Sequence, residues 1–125
     1  TRNPRAFTAM LRRSLYSLVR ALANGNWTVA AHMLDPDEEG ARWSAEALAE
    51  AMRAYFDAHA RLRVDHAARS PQNTIVRVVR DDLWEVDQVL VDDDDDNDWM
   101  LRCAVDLARS REAARPVLVL REVTT

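Results

Sequence analysis

Five arginines, Arg2, Arg5, Arg12, Arg13 and Arg20, come before the first acidic residue of the chain, Asp35. On a helix, at about 100° per residue, they fall within an arc of roughly 100°, and Tyr16 falls inside it. Guanidinium groups around an aromatic ring suit phosphate binding and base stacking, the usual way of holding single-stranded nucleic acid. The plainer reading is a solvated helix face. A third is docking against acidic groups of a neighbouring domain or of Asp92–Asp98. The formal net charge of −4 weighs against the nucleic-acid reading, because counterion release rewards a cationic surface.

Asp92–Asp98 is the other dense run of charge, Asp-Asp-Asp-Asp-Asp-Asn-Asp between two apolar segments. A calcium loop of the helix-loop-helix kind needs Gly at its sixth position and a bidentate Glu at its twelfth. Counted from Asp92, those positions hold Asn97 and Cys103. The plain expectation is therefore a solvated hairpin loop with no metal, in which Asp98 serves the turn and Trp99 anchors it in the core. Acid–base chemistry has its candidates in Tyr55, Asp57 and His59, with Asp65 and His66 close behind. A carboxylate beside a Tyr or His can act as a base only with a partner in hydrogen-bond reach. The blander expectation for His59 is a satisfied half-buried residue at the end of an apolar stripe, and His32 and His66 read as surface residues. Cys103 sits on an apolar strand face and reads as an inert core thiol. Three scattered His and one Cys give no zinc spacing.

These residues need elements to position them. Asn3 can cap a first helix, with Pro4 in its first turn. Phe7, Met10, Leu11, Leu15, Leu18 and Leu22 then recur at spacings of three and four, and Asn24-Gly25 closes the helix. Asn26 can cap a second helix, Trp27–Leu34, and Ser44 a third reaching about His59, with the stripe Leu48, Met52, Tyr55, Phe56 and His59. Arg61–Asp65 reads as a short edge strand and His66–Gln72 as a loop. Four strands follow. Thr74–Arg80 and Leu83–Val91 are joined by Asp81-Asp82, the length of a two-residue hairpin loop. Trp99–Leu107 alternates cleanly, with Trp99, Leu101, Cys103, Val105 and Leu107 on one face. Ser110–Arg115 reads as a turn before the last strand, Val117–Val123. Gln88 interrupts an apolar face and suggests a bulge. Trp84 and Trp99 are expected in the core.

The fold class that follows is α+β: one domain over residues 1–125, with three N-terminal helices packed on a curved antiparallel sheet of four to five strands. A chain of 125 residues is long enough for a real core. One cysteine allows no internal disulfide and fits a reducing, cytoplasmic setting. No apolar run approaches the ~20 residues of a membrane span. The chain opens on Thr1 directly into structured sequence, as expected of a segment of a longer protein.

Helices that precede a bent sheet resemble the cone-shaped fold of the nuclear-transport-factor-2-like superfamily. A closer resemblance lies in Asn3-Pro4-Arg5-Ala6-Phe7-Thr8, Asp96-Asn97-Asp98-Trp99, Ala104-Val105-Asp106-Leu107-Ala108 and Glu112-Ala113. In this order they resemble the C-terminal domain of unknown function behind the motor domains of a group of bacterial, actinobacterial-type DEAD/DEAH-box helicases. The resemblance implies a parent that is an ATP-dependent helicase acting on nucleic acid, RNA above all. ATP and magnesium would belong to its motor domains, which would also be partners of this one. The chain itself has no lysine, since all 17 basic residues are Arg, so it holds no G-x-x-x-x-G-K-[ST] phosphate loop. The expectation is a non-catalytic accessory domain without a cofactor, docking on the motor or a partner, with RNA contact through Arg5, Arg12, Arg13, Tyr16 and Arg20. The alternatives are a small-molecule or enzymatic pocket at Tyr55, Asp57 and His59, or a homodimerisation module.

Overall fold

The structure is a computed structural model and describes residues 3–125. The expectation for Arg2 lies outside the described residues. Helix α1, Pro4–Ala23, begins where the sequence says it should: the Asn3 side chain accepts a hydrogen bond from the Ala6 N–H. Its buried stripe is Phe7, Leu11, Leu15, Leu18, Val19, Ala21 and Leu22, with Met10 only half-buried. Gly25 follows with φ 67°, the left-handed conformation that glycine adopts at least cost. Helix α2, Trp27–Met33, is capped by Asn26, and helix α3, Ala45–Ala58, by Ser44.

Strands β1, Thr74–Arg80, β2, Leu83–Leu90, β3, Trp99–Asp106, and β4, Leu118–Thr124, form one antiparallel sheet in the order β1-β2-β3-β4. The fold is thus α+β, as the sequence implies. Leu101, Cys103 and Val105 of β3 join Val86 and Leu90 of β2 and Leu118 and Leu120 of β4 in one core with the helix stripes. Aromatic pairs tie the two layers at both ends. Phe7 of α1 meets Trp84 edge-to-face at 5.5 Å, and Tyr55 of α3 meets Trp99 at 6.1 Å.

Several expectations are corrected. Residues 107–113 are not the end of a strand followed by a turn. Leu107–Ala113 is a fourth helix, α4, capped by Asp106, whose carboxylate accepts from the Arg109 N–H at 3.0 Å. It closes on Ala114 in the left-handed region, φ 57°, where no glycine advertises the stop. Arg61–Asp65 is not a strand; it contributes one isolated bridge, Leu62 to Asp92. The loop behind it holds two short 3-10 turns, Ala67–Arg69 and Pro71–Asn73. Gln88 is not bulged. It stays in register with Thr74 and Leu101 and accepts the Thr74 hydroxyl hydrogen bond at 2.6 Å. The register shifts lie at Val78/Arg80 and Arg102/Cys103 instead. Trp84 and Trp99 are half-buried at the rim of the core, not inside it.

The two sheet edges differ. Along β4 the α2–α3 connection supplies hydrogen bonds: Asp35 exchanges two with Leu118, each 2.9 Å, and the Trp43 indole donates to the Leu120 carbonyl at 2.8 Å. Strand β1 at the other edge carries exposed Ile75, Val78 and Val79. No helix among the described residues is long and apolar enough to cross a membrane.

Candidate functional site

Helix α1 presents Arg5, Arg12, Arg13 and Arg20 on the side away from its buried stripe, as the spacing predicts. Arg12, Arg13 and Tyr16 share a recess of about 440 Å³ with Ala9, Ser17 and a residue from elsewhere in the chain, Arg69. Arg20 flanks the Tyr16 ring at 5.9 Å, whereas Arg5 is exposed and does not line the recess.

Arg69 arrives through the turn at Ala67–Arg69. The Asp65 carboxylate is paired with Arg63 and accepts from the Ala68 N–H at 3.3 Å, and Ala68 is buried beneath. The Asn73 amide donates to the Ala67 carbonyl at 3.0 Å. The turn so fixed lays the Arg69 guanidinium over Tyr16, 4.7 Å from the ring centroid. The Tyr16 hydroxyl donates to the Val64 carbonyl at 2.7 Å, which clasps the same segment to α1.

Among the described residues, Arg12, Arg13, Arg20 and Arg69 form no ion pair, nor do the scattered Arg5, Arg42, Arg109 and Arg111, while eight arginines do: Arg53, Arg61, Arg63, Arg77, Arg80, Arg102, Arg115 and Arg121. No carboxylate among the described residues lines the recess. Asp92–Asp98 does not neutralise these arginines: among the described residues its ion pairs are those of Asp92 and Asp94 with His59 and of Asp93 with Arg61.

The second group of candidates does not gather round a cavity. Tyr55 is fully buried and its hydroxyl donates to the Arg61 carbonyl at 2.8 Å. Burial, with the charges of Asp92, Asp93 and Asp94 nearby, holds that phenol well above its ordinary range and hence neutral. Asp57, two residues on, lies on the exposed side of α3, and His32 and His66 are exposed too. His59 is buried, 5.3 Å from the Tyr55 ring, with Nδ1 2.8 Å from Asp94 and Nε2 3.5 Å from Asp92. The hydrogen bond to Asp94 raises its pKa, against the opposing effect of burial. Cys103 is buried, and burial pushes its thiol up to about 12, which suits a core residue and not a nucleophile.

The acidic loop turns on Asp92 and not on Asp98, which is exposed. The buried Asp92 carboxylate accepts from the backbone N–H groups of Asp94 at 2.9 Å, Asp96 at 3.1 Å and Asn97 at 2.9 Å. The Asn97 side chain in turn accepts from the Asp92 N–H. Asp95 and Asn97 take the left-handed conformations, φ 59° and 47°, that Asp and Asn tolerate better than most residues. His59 with Asp92 and Asp98, and His59 with Asp94 and Asp96, bring potential ligand atoms within 4.8 Å of one another. Asp92 already accepts three backbone N–H bonds and His59 bonds Asp94 through Nδ1, so these approaches are accounted for by the loop's internal bonding. Separately, an apolar cleft of about 640 Å³ opens between the start of α1 and the end of α4, lined by Phe7, Met10, Ala114 and Arg111 among others.

Arg69 is the residue that sequence reasoning missed. It lies in a loop that no periodicity describes, and only the tertiary path of residues 62–73 across α1 brings it to Tyr16.

Fold and site together define a small α+β domain whose first helix carries a basic recess that, among the described residues, no carboxylate lines. Residues 1–123 match the profile of the family described as "Domain of unknown function (DUF3516)", and the chain belongs to that family. No curated protein and no solved structure matches it.

Proposed function

We propose that this chain is a non-catalytic accessory domain of an ATP-dependent DEAD/DEAH-box helicase, and that it contacts RNA through the basic face of α1. The helicase assignment rests on the order of short motifs from Asn3-Pro4 to Glu112-Ala113, which resembles the domain behind such motors. ATP and magnesium belong, in this reading, to motor domains elsewhere in a longer cytoplasmic chain, against which this domain also docks.

The observation that carries the contact surface is the missing counter-charge. Arg12, Arg13, Arg20 and Arg69 have no carboxylate partner among the described residues, although the chain as a whole is acidic. Guanidinium groups held close together without acids are stabilised by an arriving polyanion. The test is a titration of the chain with labelled single-stranded and duplex RNA at low and near-physiological salt. Binding that weakens steeply with salt and disappears in the Arg12→Ala/Arg13→Ala/Arg20→Ala variant is the expected result. No binding at low salt would leave docking on protein as the role of this face.

One observation favours a second reading, a homodimer. Strand β1 is an edge strand with exposed Ile75, Val78 and Val79, the kind of edge that accepts another strand. A mass measured in solution that stays at one chain over a wide concentration range would remove that reading.

A further inference from the structure

On the sequence, Tyr16 is a stacking platform for a base. The structure engages it differently. Its hydroxyl is fixed to the Val64 carbonyl at 2.7 Å, and its ring is roofed by Arg69 at 4.7 Å with Arg20 beside it at 5.9 Å. A base that stacked on this ring would first have to displace a guanidinium already held there. The ring serves instead to hold Arg69 in place, its N–H groups free of any acid partner among the described residues.

What remains open to a ligand is a recess with three guanidinium groups, Arg12, Arg13 and Arg69, and the Ser17 hydroxyl at its wall. Each guanidinium presents a planar fork of N–H donors that matches two oxygens of a phosphate. The recess volume, about 440 Å³, lies within the range of about 300–1,000 Å³ typical of small-ligand clefts. It offers donors and no acceptor carboxylate, so it favours anionic oxygens over base edges, which present donors as well as acceptors.

We infer that the recess between α1 and the turn at Ala67–Arg69 is a phosphate-backbone site, which holds a single strand without reading its bases, and that Arg69 is its third cationic contact. The inference rests on the nucleic-acid reading given above and sharpens it. The strand is gripped by its phosphates, so RNA and DNA bind alike, and Tyr16 is a positioning residue for Arg69.

The experiment is a fluorescence-anisotropy titration of the 125-residue chain with oligo-U, oligo-A and oligo-dT of one length, over a series of salt concentrations. The variants are Arg69→Ala, Arg69→Lys and the pair Arg12→Ala/Arg13→Ala, each checked for folding by its thermal transition. The three oligonucleotides should bind within about three-fold of one another, with a log–log salt slope of about −2 for three phosphate contacts on a single strand. Arg69→Ala should weaken all three equally, by about ten-fold at low salt, and make the slope shallower by about 0.7. Arg69→Lys should keep the slope while losing part of the affinity, because the charge stays and the fork is lost. A ten-fold preference for one base or sugar would sink the backbone-only site and leave the nucleic-acid reading standing. Unchanged binding in a folded Arg69→Ala variant would remove Arg69 from the site. No binding of any oligonucleotide by the wild-type chain would overturn both.

Discussion

Asp92–Asp98 and the outer face of α1 are two places where charge of one sign is crowded, and the fold treats them in opposite ways. The acidic run is folded in on itself. Its first carboxylate is buried and takes three backbone N–H donors, Asp94 holds His59, and Asp93 pairs with Arg61. The basic face is left open, with Arg12, Arg13, Arg20 and Arg69 unpaired among the described residues and Tyr16 used to hold one of them. Crowded charge therefore has two uses here. In the loop it makes local structure, because a carboxylate can accept several N–H bonds and close a turn. On α1, arginine has no such use: it is a donor only, the helix carries no acid to accept from it, and an acidic partner must come from outside. The contrast separates a structural cluster from a candidate contact surface, although both look equally conspicuous in the sequence.

The sharpest way to break that contrast is to remove the centre of the acidic loop. Asp92→Ala should cost about 3–5 kcal/mol, because three backbone donors lose a charged acceptor and His59 loses a counter-ion in a buried setting. Asp92→Asn should cost about half as much, since one acceptor oxygen survives. Urea unfolding curves with an unchanged slope would report both. A loss below about 0.5 kcal/mol for Asp92→Ala would make the loop a mere solvated tether, and the comparison would fail on its acidic side.

The pH dependence tests the same cluster more gently. Burial alone would raise the Asp92 pKa, but the N–H groups of Asn97, Asp96 and Asp94 and the nearby His59 outweigh it and hold it low. A lowered carboxylate contributes stability that is full above its unfolded value, about 4, and lost as pH falls through the native value. His59 shifts the other way, raised by its hydrogen bond to Asp94 against the effect of burial. Its contribution is full below the unfolded histidine value, about 6.5, and is lost as pH rises through the native value. Thermal midpoints should therefore be highest between about pH 4 and 6.5 and fall on the alkaline side. His59→Gln should remove that alkaline fall. A wild-type profile flat from pH 6 to 9 would mean that His59 binds its proton equally well in the native and unfolded chains, and that Asp94 does not favour an imidazolium.

Much of this architecture was legible in residues whose message is local. Asn3-Pro4, Asn26 and Ser44 start three helices because a side-chain oxygen caps N–H groups two or three residues on. The alternation from Trp99 to Val105 faces the core as its period requires. What was not legible depended on non-local or unpunctuated features. Leu107 continues the strand's alternation, so α4 was hidden behind it, and Ala114 closes that helix where a glycine would have announced the end. Among the site residues, Arg12, Arg13 and Tyr16 came together because one helix carries them. Arg69 depends on a turn that Asp65 and Ala68 fix locally and that the Tyr16–Val64 hydrogen bond, spanning 48 residues of chain, lays against α1. Asp57 parted from Tyr55 and His59 for the simplest reason, that residues two apart lie on opposite sides of a helix.

The smallest expected effect tests the basic side of the comparison. If Arg12, Arg13 and Arg20 contribute nothing to the fold, replacing all three with Ala should change stability by no more than about 0.5 kcal/mol. The sign is as informative as the size. Like charges on one helix face repel, so at low salt the variant should be more stable than the wild type by a few tenths of a kcal/mol, with help from the helix propensity of Ala. Salt near physiological strength shortens the screening length to about 8 Å and should shrink the electrostatic part of that gain. A destabilised variant, with a loss that salt diminishes, would mean that these arginines are engaged by acids of the domain itself. They would then belong with Asp92 as structural charge, and no unpaired face on α1 would remain for an anionic partner.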